Sequence, residues 1–409
     1  MHQEELIPHL FRTEYRKIVS VLCKHFGFDQ IEIAEDLTSE TFLTATQTWP
    51  LNGIPANPVA WLYTVAKNNA KNHLHRNAIF DKKLVPELKR SELSIDETDI
   101  DLSEKNIHDS QLQMMFAICH PSIPTESQVG LSLRILCGFG IEEIADAFLT
   151  NKETINKRLF RAKEKLREEK IKIELPPISE IDERLGSVLT TIYLLFNEGY
   201  YSVSNDQTLR KDLCFEAMRL CKMLTENKIT NQPEVNALLA LMCFHASRFD
   251  ARFNKEGELV LYEDQDESLW DHELVRQGAY YLHEATKGNS ISKYHIEASI
   301  AYWHTIKADT KEKWENILHL YNQLLQIEYS PVAALNRTYA FSKARNKKEA
   351  IEEAEKLKLS DNHFYFTLLG ELYTDIDNKK AKENFEKAFS LAKTSTDKQT
   401  IQKKISGLN

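Results

Sequence analysis

The sequence contains little of what breaks helices or cross-links chains. Among its 409 residues there are only 12 glycines and 11 prolines, whereas long stretches are rich in alanine, leucine, glutamate and lysine. This composition favours helix almost throughout and predicts an all-α fold. The six cysteines form no CxxC pair and no histidine stands at zinc-finger spacing. We therefore expect free thiols in a reducing compartment.

Long apolar runs are also missing. The longest clean run, ALLALMCF at residues 237–244, is far shorter than a membrane span. The N-terminal stretch MHQEELIPHLFRTEY has acids where a signal peptide needs a basic region followed by an apolar core. Both features predict a cytoplasmic protein.

The common catalytic motifs are absent as well. The sequence has no GxxxxGK[ST], GxGxxG, HExxH or GxSxG. The acidic cluster EDQDES at residues 263–268 lacks the spacing of a calcium loop, so solvated surface is the favoured interpretation. The sequence thus predicts no enzyme, no metal site and no cofactor.

What the sequence does have is a local concentration of positive charge. The formal net charge is −9, yet NKETINKRLFRAKEKLRE, residues 151–168, holds seven Lys or Arg against few acids. Its apolar residues recur at helical intervals, at Ile155, Leu159, Ala162 and Leu166. The pattern predicts one amphipathic helix with a basic outer face.

A shorter helix precedes the basic one. The segment IEEIADAF has its apolar residues on one face, and a short turn follows it. Thr150 and Glu153 have capping-box spacing, which predicts that the basic helix begins just after Thr150. Helix, turn and helix is the helix-turn-helix pattern, whose second helix enters the major groove of DNA. The alternative is a solvated charged helix. The residues predicted to contact duplex DNA are Lys152, Thr154, Asn156, Lys157, Arg158 and Arg161.

A second candidate for nucleic-acid contact lies nearer the N-terminus. A helix over residues 30–49 is predicted to end at Pro50, and after the loop PLNGIPANP a new helix starts near Pro58 and ends at about Asn77. Aromatic residues beside amides and bases suit single-stranded bases, which must be stacked and held. For Trp61 the alternative is core packing. The predicted residues are Trp61, Lys67, Asn68, Lys71, Asn72 and Arg76.

The remaining chain divides by composition. Residues 78–109 are expected to form an acidic linker before a second module at residues 110–172, because residues 91–109 hold seven acids against one lysine and lack a sustained apolar period. Residues 178–409 are predicted to form a helical array. In it ALNRTYAF and LLGELYTD align with Asn336 over Gly370, 34 residues apart, which is the tetratricopeptide (TPR) period. Any helical hairpin could give the same spacing.

Several stretches resemble sigma-70 family factors. DLTSETF at residues 36–42, followed by NPVAWLYTVAKNNAKNHLHR, resembles their region 2, and residues 124–167 resemble their region 4. MMFAICHP, YLLFNEGYYS, DLCFEAMRL, GELVLYEDQDESLWD and SPVAALNR resemble the extracytoplasmic-function (ECF) sigma factors that carry a TPR-like C-terminal extension. Ser39 and Ile118 depart from the usual Gln and Cys of that group.

The resemblance implies a sigma factor that binds core RNA polymerase and directs promoter-specific initiation of transcription. Residues 1–77 would be region 2, with Asp36, Glu40, Thr41 and Phe42 on the segment that docks on core polymerase. The helix of residues 61–76 would melt the −10 element, and the basic helix would read the −35 element as duplex. The C-terminal array would modulate activity or bind a regulatory protein.

Two other functions stay open at this point. A helix-turn-helix transcriptional regulator with a TPR sensor would bind duplex DNA without polymerase, although it needs no polymerase-docking helix. A TPR scaffold with an incidental basic helix would have no DNA function at all.

Overall fold

The computed structural model of the protein describes residues 3–84, 100–201, 207–252, 254, 260 and 262–408. Within these ranges every regular element is a helix and no strand occurs, so the predicted all-α fold is confirmed. None of the helices described there combines the length and the apolar character needed to cross a bilayer. The chain divides into two compact units, Met1–Thr230 and Asn231–Asn409.

The first unit contains nine α-helices in its described part. Helix α1 is central to it, because α2, α3 and α4 all pack against this helix. A π-helical turn, Ser132–Leu136, continues α5 and also packs against α1. The helices are α1 (Gln3–Phe26), α2 (Ile31–Asn52), α3 (Pro58–Leu84), α4 (Glu104–Ile118), α5 (Thr125–Leu131), α6 (Ile141–Ala147), α7 (Lys152–Glu168), α8 (Ile181–Tyr201) and α9 (Gln207–Thr225).

An aromatic cluster joins α1 to α2. The ring centroid of Phe11 lies 4.7 Å from that of Tyr15 and 5.0 Å from that of Phe42. Aromatic pairs at such distances contribute about 0.5–1.5 kcal/mol beyond the burial of their area. Because this packing fixes the buried face of α2, it also decides which residues of α2 stay outside. The buried residues of α2 are Ile31, Ala34, Leu37, Thr38, Thr41, Phe42, Ala45 and Trp49.

Two helix ends lie further along the chain than the sequence indicated. Helix α2 continues through Pro50 and ends before Gly53, whose φ of 82° lets its N–H donate to the carbonyl of Trp49 at 3.0 Å. Proline deprives the helix of one hydrogen bond, and only two residues of α2 follow it. Helix α3 begins at Pro58 as predicted but runs to Leu84, beyond the expected end at about residue 77.

The predicted acidic linker, residues 78–109, is helical at both ends, because α3 and α4 extend into it. Ile100 and Ile107 are buried. The other residues of 101–109 are exposed or half-buried, so this part is only partly solvated and its role as a linker stays a prediction. Two isoleucines are too few to give a recurring apolar pattern in the sequence, although both are buried. Residues 85–99 lie outside the described part.

Helices α8 and α9 belong to the first unit. Helix α8 packs against α4 and α5, and α9 packs against α8 and α4. The hydroxyl of Thr191 in α8 donates to the side-chain oxygen of Gln128 in α5 at 2.7 Å, and both residues are buried. The units divide at residue 230, not near residue 178, where the C-terminal domain was expected to begin. Pro176 and Pro177 indicate a break between helices. They do not indicate which elements the following helices pack against.

The second unit is a succession of helices that pack mainly against their neighbours in the chain. Such an arrangement is typical of helical repeat proteins. Its helices are α10 (Pro233–Ala246), α11 (His272–Ala285), α12 (Lys293–Trp303), α13 (Lys311–Ile327), α14 (Pro331–Ala344), α15 (Lys347–Leu357), α16 (His363–Tyr373), α17 (Asn378–Leu391) and α18 (Ser395–Gly407).

The helices with the predicted 34-residue spacing form successive pairs. Asn336 lies in α14 and Gly370 in α16, and each of these helices packs against the helix that follows it. A Cβ at Gly370 would stand 2.6 Å from the ring of Phe385 in α17. The close approach of α16 and α17 therefore depends on the absence of a side chain at residue 370. Membership of the TPR class stays a prediction.

Candidate nucleic-acid interface

A tight turn joins α6 to α7. Leu149 adopts a left-handed conformation with a φ of 49°. Asn151 caps α7, since its side chain accepts a hydrogen bond from the N–H of Thr154 at 2.8 Å. The cap predicted at Thr150 is wrong by one residue, because the N–H of Thr150 donates to a carbonyl of α6 instead. Helix α7 thus begins at Lys152, with the predicted DNA-contacting residues in its first turns.

The N-terminal half of α7 presents a polar and basic surface. The apolar face of the helix is buried as predicted, which holds the opposite face outward. Arg158 is half-buried, with its guanidinium carbon 5.4 Å from the ring centre of Phe148. This cation–π contact orients the side chain without neutralising it. The other predicted duplex-contacting residues are exposed, namely Lys152, Thr154, Asn156, Lys157 and Arg161.

The bases on this surface differ in how they are paired. Lys152 pairs with Glu142, and Lys157 pairs with Glu153, and all four side chains are more than half exposed. Exposed pairs of this kind contribute little to stability and exchange partners easily. Among the described residues, Arg158 and Arg161 have no carboxylate partner. These two guanidinium groups are the ones most available to a phosphate or a base edge.

Helix α7 also carries an exposed aromatic residue that was not predicted. Phe160 lies between the two free arginines in the chain and is 61% exposed. It interrupts the apolar helical spacing of Ile155, Leu159 and Ala162, and that mismatch was the available signal. An exposed ring next to bases and amides adds an apolar contact to the surface.

The C-terminal half of α7 faces inward instead. Lys163 is buried and pairs with Glu35, with Glu32 at 3.8 Å. Arg167 pairs with Glu32 and donates from its Nε to the carbonyl of Phe28 at 3.0 Å. These two bases bind the N-terminal end of α2 and the turn before it. Part of the charge concentrated in this stretch therefore holds the unit together.

Glu35 is the centre of that contact. Besides Lys163 it binds Arg134, whose Nε lies 3.0 Å from its Oε1, and only 12% of the Glu35 side chain is exposed. Arg134 also lies over the ring of Tyr15 at 5.6 Å. Burial raises the pKa of Tyr15 to about 12, so this phenol stays neutral beside the ion pairs.

Helix α3 carries the second predicted surface. Trp61 is half-buried and meets Trp49 edge to face, with ring centroids 5.4 Å apart. Leu62 and Ala66 are buried, so the core-packing alternative holds for part of the Trp61 ring. The predicted amides and bases lie on the outer side. Lys67 is half-buried, and the exposed residues are Asn68, Lys71, Asn72 and Arg76.

A polar contact fixes α3 against α1. The hydroxyl of Tyr63 donates to Oε2 of Glu14 at 2.6 Å, and Lys17 pairs with the same carboxylate at 2.9 Å. Burial and the hydrogen bond to Glu14 raise the pKa of Tyr63 above its usual range. The phenol therefore stays a donor at every physiological pH, and the outer side of α3 keeps its orientation.

The predicted polymerase-docking residues on α2 separate into two pairs. Asp36 and Glu40 are exposed, but Thr41 and Phe42 are buried in the packing against α1. Polymerase docking by these four residues stays a prediction, and Thr41 and Phe42 therefore have little surface for direct contact. Their apolar and hydroxyl groups support the helix from inside. The exposed Leu43, 55% accessible, lies next to the acids and was not predicted.

Other candidate sites carry no such surface. In the described ranges no group of three or more His, Cys, Asp or Glu is arranged to hold a metal ion. Glu263 of the acidic stretch accepts a hydrogen bond from Tyr339 at 2.8 Å, and Asp266 accepts one from the N–H of Ser268 at 2.9 Å. All six cysteines are buried, and burial raises the pKa of Cys137 to about 12. Their chemistry is that of packing residues.

Residues 10–79 match the model of sigma-70 region 2. They comprise most of α1, all of α2 and most of α3, the helices that carry the exposed acids and the basic ridge. The chain therefore carries a sigma-70 region 2 segment, which supports a role in transcription initiation. Residues 184–286 match a family of unknown function, DUF6596, from α8 to the end of α11.

The chain belongs to the same family as the uncharacterized protein R00370 of Rhizobium meliloti (strain 1021). The two are 32% identical over 388 residues, which cover 93% of this chain and 91% of that protein. The chain is also 26% identical over 152 residues to the ECF RNA polymerase sigma-E factor of Haemophilus influenzae, covering 36% of this chain and 78% of that factor. No solved structure matches the chain.

Proposed function

We propose that the chain is an ECF-type sigma factor that binds core RNA polymerase in the cytoplasm and directs promoter-specific initiation of transcription. The observation that carries the proposal is that one compact unit holds two exposed surfaces of bases and amides, on α3 and on the N-terminal half of α7. A regulator that binds only duplex DNA needs only the surface on α7.

The two surfaces suit different forms of DNA. Helix α7 has the capped N-terminus and the unpaired arginines that a major-groove helix uses on phosphates and base edges, so it takes the −35 element as duplex. On α3, the half-exposed Trp61, with Asn68 and Asn72 about two and three turns further along the same face of the helix, suits bases that have left the stack, as in a melted −10 element.

The exposed residues of α2 are the ones expected to contact core polymerase. Asp36 and Glu40 offer two carboxylates one turn apart, and Leu43 adds an apolar contact beside them. Thr41 and Phe42 act from inside by holding α2 in place. The second unit, with its neighbour-to-neighbour helices, modulates activity or binds a regulatory protein on its surface.

The proposal is tested by selecting promoters directly. Core RNA polymerase carrying the chain transcribes a library of random DNA, and the initiating templates are sequenced. We expect two enriched motifs at a fixed spacing. Because a base or phosphate contact is worth about 1–3 kcal/mol, Arg158→Ala with Arg161→Ala reduces initiation by about tenfold or more and abolishes the upstream preference.

Lys165→Ala is the matched control, since Lys165 is an exposed base of the same helix that pairs with Glu169 at 2.7 Å. It leaves both motifs intact. Absence of promoter-dependent initiation, with or without the second unit, contradicts the proposal. Specific binding of the free chain to duplex DNA would favour the helix-turn-helix regulator with a TPR sensor instead.

Phe160 gives a sharper test of duplex reading by α7. An exposed ring on a major-groove helix contacts the methyl group of thymine, which no other base carries. Replacing the thymines of the selected upstream motif by deoxyuridine removes only those methyl groups. We expect weaker initiation by the native chain and no further loss in Phe160→Ala. An equal loss in both contradicts the contact.

A further inference from the structure

Three positively charged side chains surround one tyrosine, Tyr262, in the second unit. They are Arg248 just after α10, Lys307 between α12 and α13, and Lys313 in the first turn of α13. The guanidinium carbon of Arg248 is 5.4 Å from the ring centroid of Tyr262. The ammonium nitrogens of Lys307 and Lys313 are 5.2 Å and 5.1 Å from the same centroid. Cations from separate segments of the chain therefore converge on a single ring.

Two of these cations are buried without a charged partner. Arg248 is 8% exposed and Lys313 is 1% exposed, and neither pairs with a carboxylate in the described part of the chain. Nε of Arg248 has no hydrogen-bond partner there either. Burial lowers the pKa of the Lys313 ammonium, and Lys307 and Arg248 lower it further, although Asp309 opposes them. Because an unpaired buried charge is strongly unfavourable, this cluster lacks a source of negative charge.

Two acids border the cluster, but they are engaged with other groups. Asp309 accepts a hydrogen bond from the indole N–H of Trp314, and its Oδ2 lies 3.5 Å from the ammonium of Lys343. Glu263 lies 3.4 Å from the same ammonium. Neither carboxylate forms an ion pair with the buried arginine or the buried lysine among the described residues.

The aromatic ring alone does not compensate these charges, because one ring has two faces and three cations lie near it. Lys307 is satisfied in another way, since its ammonium donates to three carbonyls of residues 262–265 at 2.9, 2.9 and 3.0 Å. Lys313 donates to the hydroxyl of Tyr262 at 3.0 Å and to the carbonyl of Ile306 at 2.6 Å. One ammonium N–H and the buried guanidinium group are left without an acceptor in the described structure.

A third unsatisfied donor lies in the same cluster. Trp270 is 3% exposed, and its indole N–H has no hydrogen-bond partner among the described residues. Its ring is stacked on that of Tyr262, with the centroids 6.2 Å apart. Tyr262 and His304 are half-buried, so the cluster reaches the surface of the second unit. A small molecule can therefore approach the three donors from solvent.

We infer that Arg248, Lys313 and Trp270 form a binding site for the phosphate group of a small molecule. A phosphate monoester carries about two negative charges and three acceptor oxygens, which match the two unpaired cations and the three unsatisfied donors. The planar fork of arginine binds such an oxyanion through two parallel hydrogen bonds. The inference is independent of the proposed function, because it concerns a site within the second unit alone.

The site is tested by isothermal titration calorimetry of the full chain with inorganic phosphate at constant ionic strength. We expect saturable binding by the native chain, which acetate at the same concentrations does not reproduce. Arg248→Met removes the buried charge and keeps an apolar stem. It is expected to weaken phosphate binding by about tenfold or more, because a charge-assisted contact is lost. Arg276→Met is the matched control, since Arg276 of α11 is 70% exposed and pairs with Glu273. It leaves phosphate binding unchanged.

Stability in phosphate-free buffer is the second readout. An apolar side chain in place of an unpaired buried charge is expected to leave the second unit at least as stable as in the native chain. Hydrogen exchange in urea measures this. Saturating phosphate is then expected to increase protection of α10 and α13 in the native chain but not in Arg248→Met. Equal protection of both chains would be a general salt effect and would overturn the site.

Absence of saturable phosphate binding by the native chain also overturns the site, as does equal binding by the native chain and Arg248→Met. Equal affinity for acetate overturns the assignment to phosphate. If Arg248→Met is less stable or does not fold, the arginine supports the fold, and Arg248→Lys decides whether it also binds phosphate. That variant keeps the charge without the fork, so it is expected to bind phosphate severalfold more weakly. Native affinity in Arg248→Lys overturns the role of the arginine.

Discussion

The two units of the molecule are held together in different ways. In the first unit, ion pairs join segments that lie far apart in the chain, such as Arg134 with Glu35 and Arg16 with Glu216. In the second, most pairs lie within one helix or join helices one or two places apart in the chain, as Lys293 with Glu328 does, and apolar clusters such as that around Phe385 lie between the helices. Contacts between distant segments make the helices of the first unit depend on one another. Contacts between neighbours let the second unit be built up one helix at a time.

The largest expected difference is the loss of stability when a large apolar side chain between two helices of the second unit is truncated. Phe385 is 1% exposed and packs on Gly370, so Phe385→Ala is expected to cost about 3–5 kcal/mol through lost burial and a residual cavity. Peptide-level hydrogen exchange checks it: protection falls in α16 and α17 and stays unchanged in α1–α9. Phe364→Ala, at a ring 54% exposed, is the control. Uniform loss of protection in both units contradicts the comparison.

The first unit is expected to respond most to loss of a central charge. Glu35→Gln leaves Arg134 and Lys163 without their common carboxylate, which is expected to cost about 2–4 kcal/mol because the two bases remain in a mostly buried site. Urea denaturation followed by hydrogen exchange measures the loss. Glu153→Gln, at an exposed pair on α7, changes stability by less than about 0.5 kcal/mol. Equal effects of the two variants would argue against a structural role for Glu35.

Replacing a helical glycine by alanine is expected to change stability in opposite directions in the two units. A Cβ at Gly186 of α8 meets nothing within 4 Å, whereas at Gly370 it would lie 2.6 Å from the ring of Phe385. Gly186→Ala therefore stabilises by about 0.5–1 kcal/mol through helix propensity, and Gly370→Ala destabilises by about 1–3 kcal/mol through overpacking. Thermal denaturation of both variants checks this. Stabilisation by both would mean that α16 and α17 do not approach as closely as described.

The smallest expected difference is in pH dependence. Burial, with Arg248 and Lys313 nearby, lowers the pKa of His304 to about 3. The unfolded imidazole binds a proton below about 6.5 while the folded one does not, so unfolding takes up protons and stability falls as the pH drops. Between pH 7 and 5 the second unit loses about 1–2 kcal/mol. Burial also lowers the pKa of His120 in the first unit, but that histidine is less buried and contributes less.

Denaturation curves at pH 7 and 5, read through hydrogen exchange in each unit, measure this loss. In His304→Gln the pH dependence of the second unit is expected to become weaker, and His245, whose pKa is also lowered by burial, accounts for the rest. A slope that is unchanged by the substitution assigns the effect to other groups.

Much of the fold was predictable because helical periodicity is local. The buried face of α7 followed from apolar spacing, and the start of α3 followed from the preference of proline for the first helical position. The burial of Thr41 and Phe42 did not, because it depends on α1, which covers that face of α2. Likewise Lys163 has the same side chain as the exposed Lys157, and only acids more than 100 residues away decide that one is inside.

The successive packing of the second unit also has a mechanical consequence. When a protein of this kind is pulled from its two ends, force passes through each helix junction in turn, since few contacts bypass a neighbour. Helices α10–α18 would yield one after another, each releasing a short length of chain at moderate load. The first unit would instead resist until its cross-connections break together and then extend in one large step.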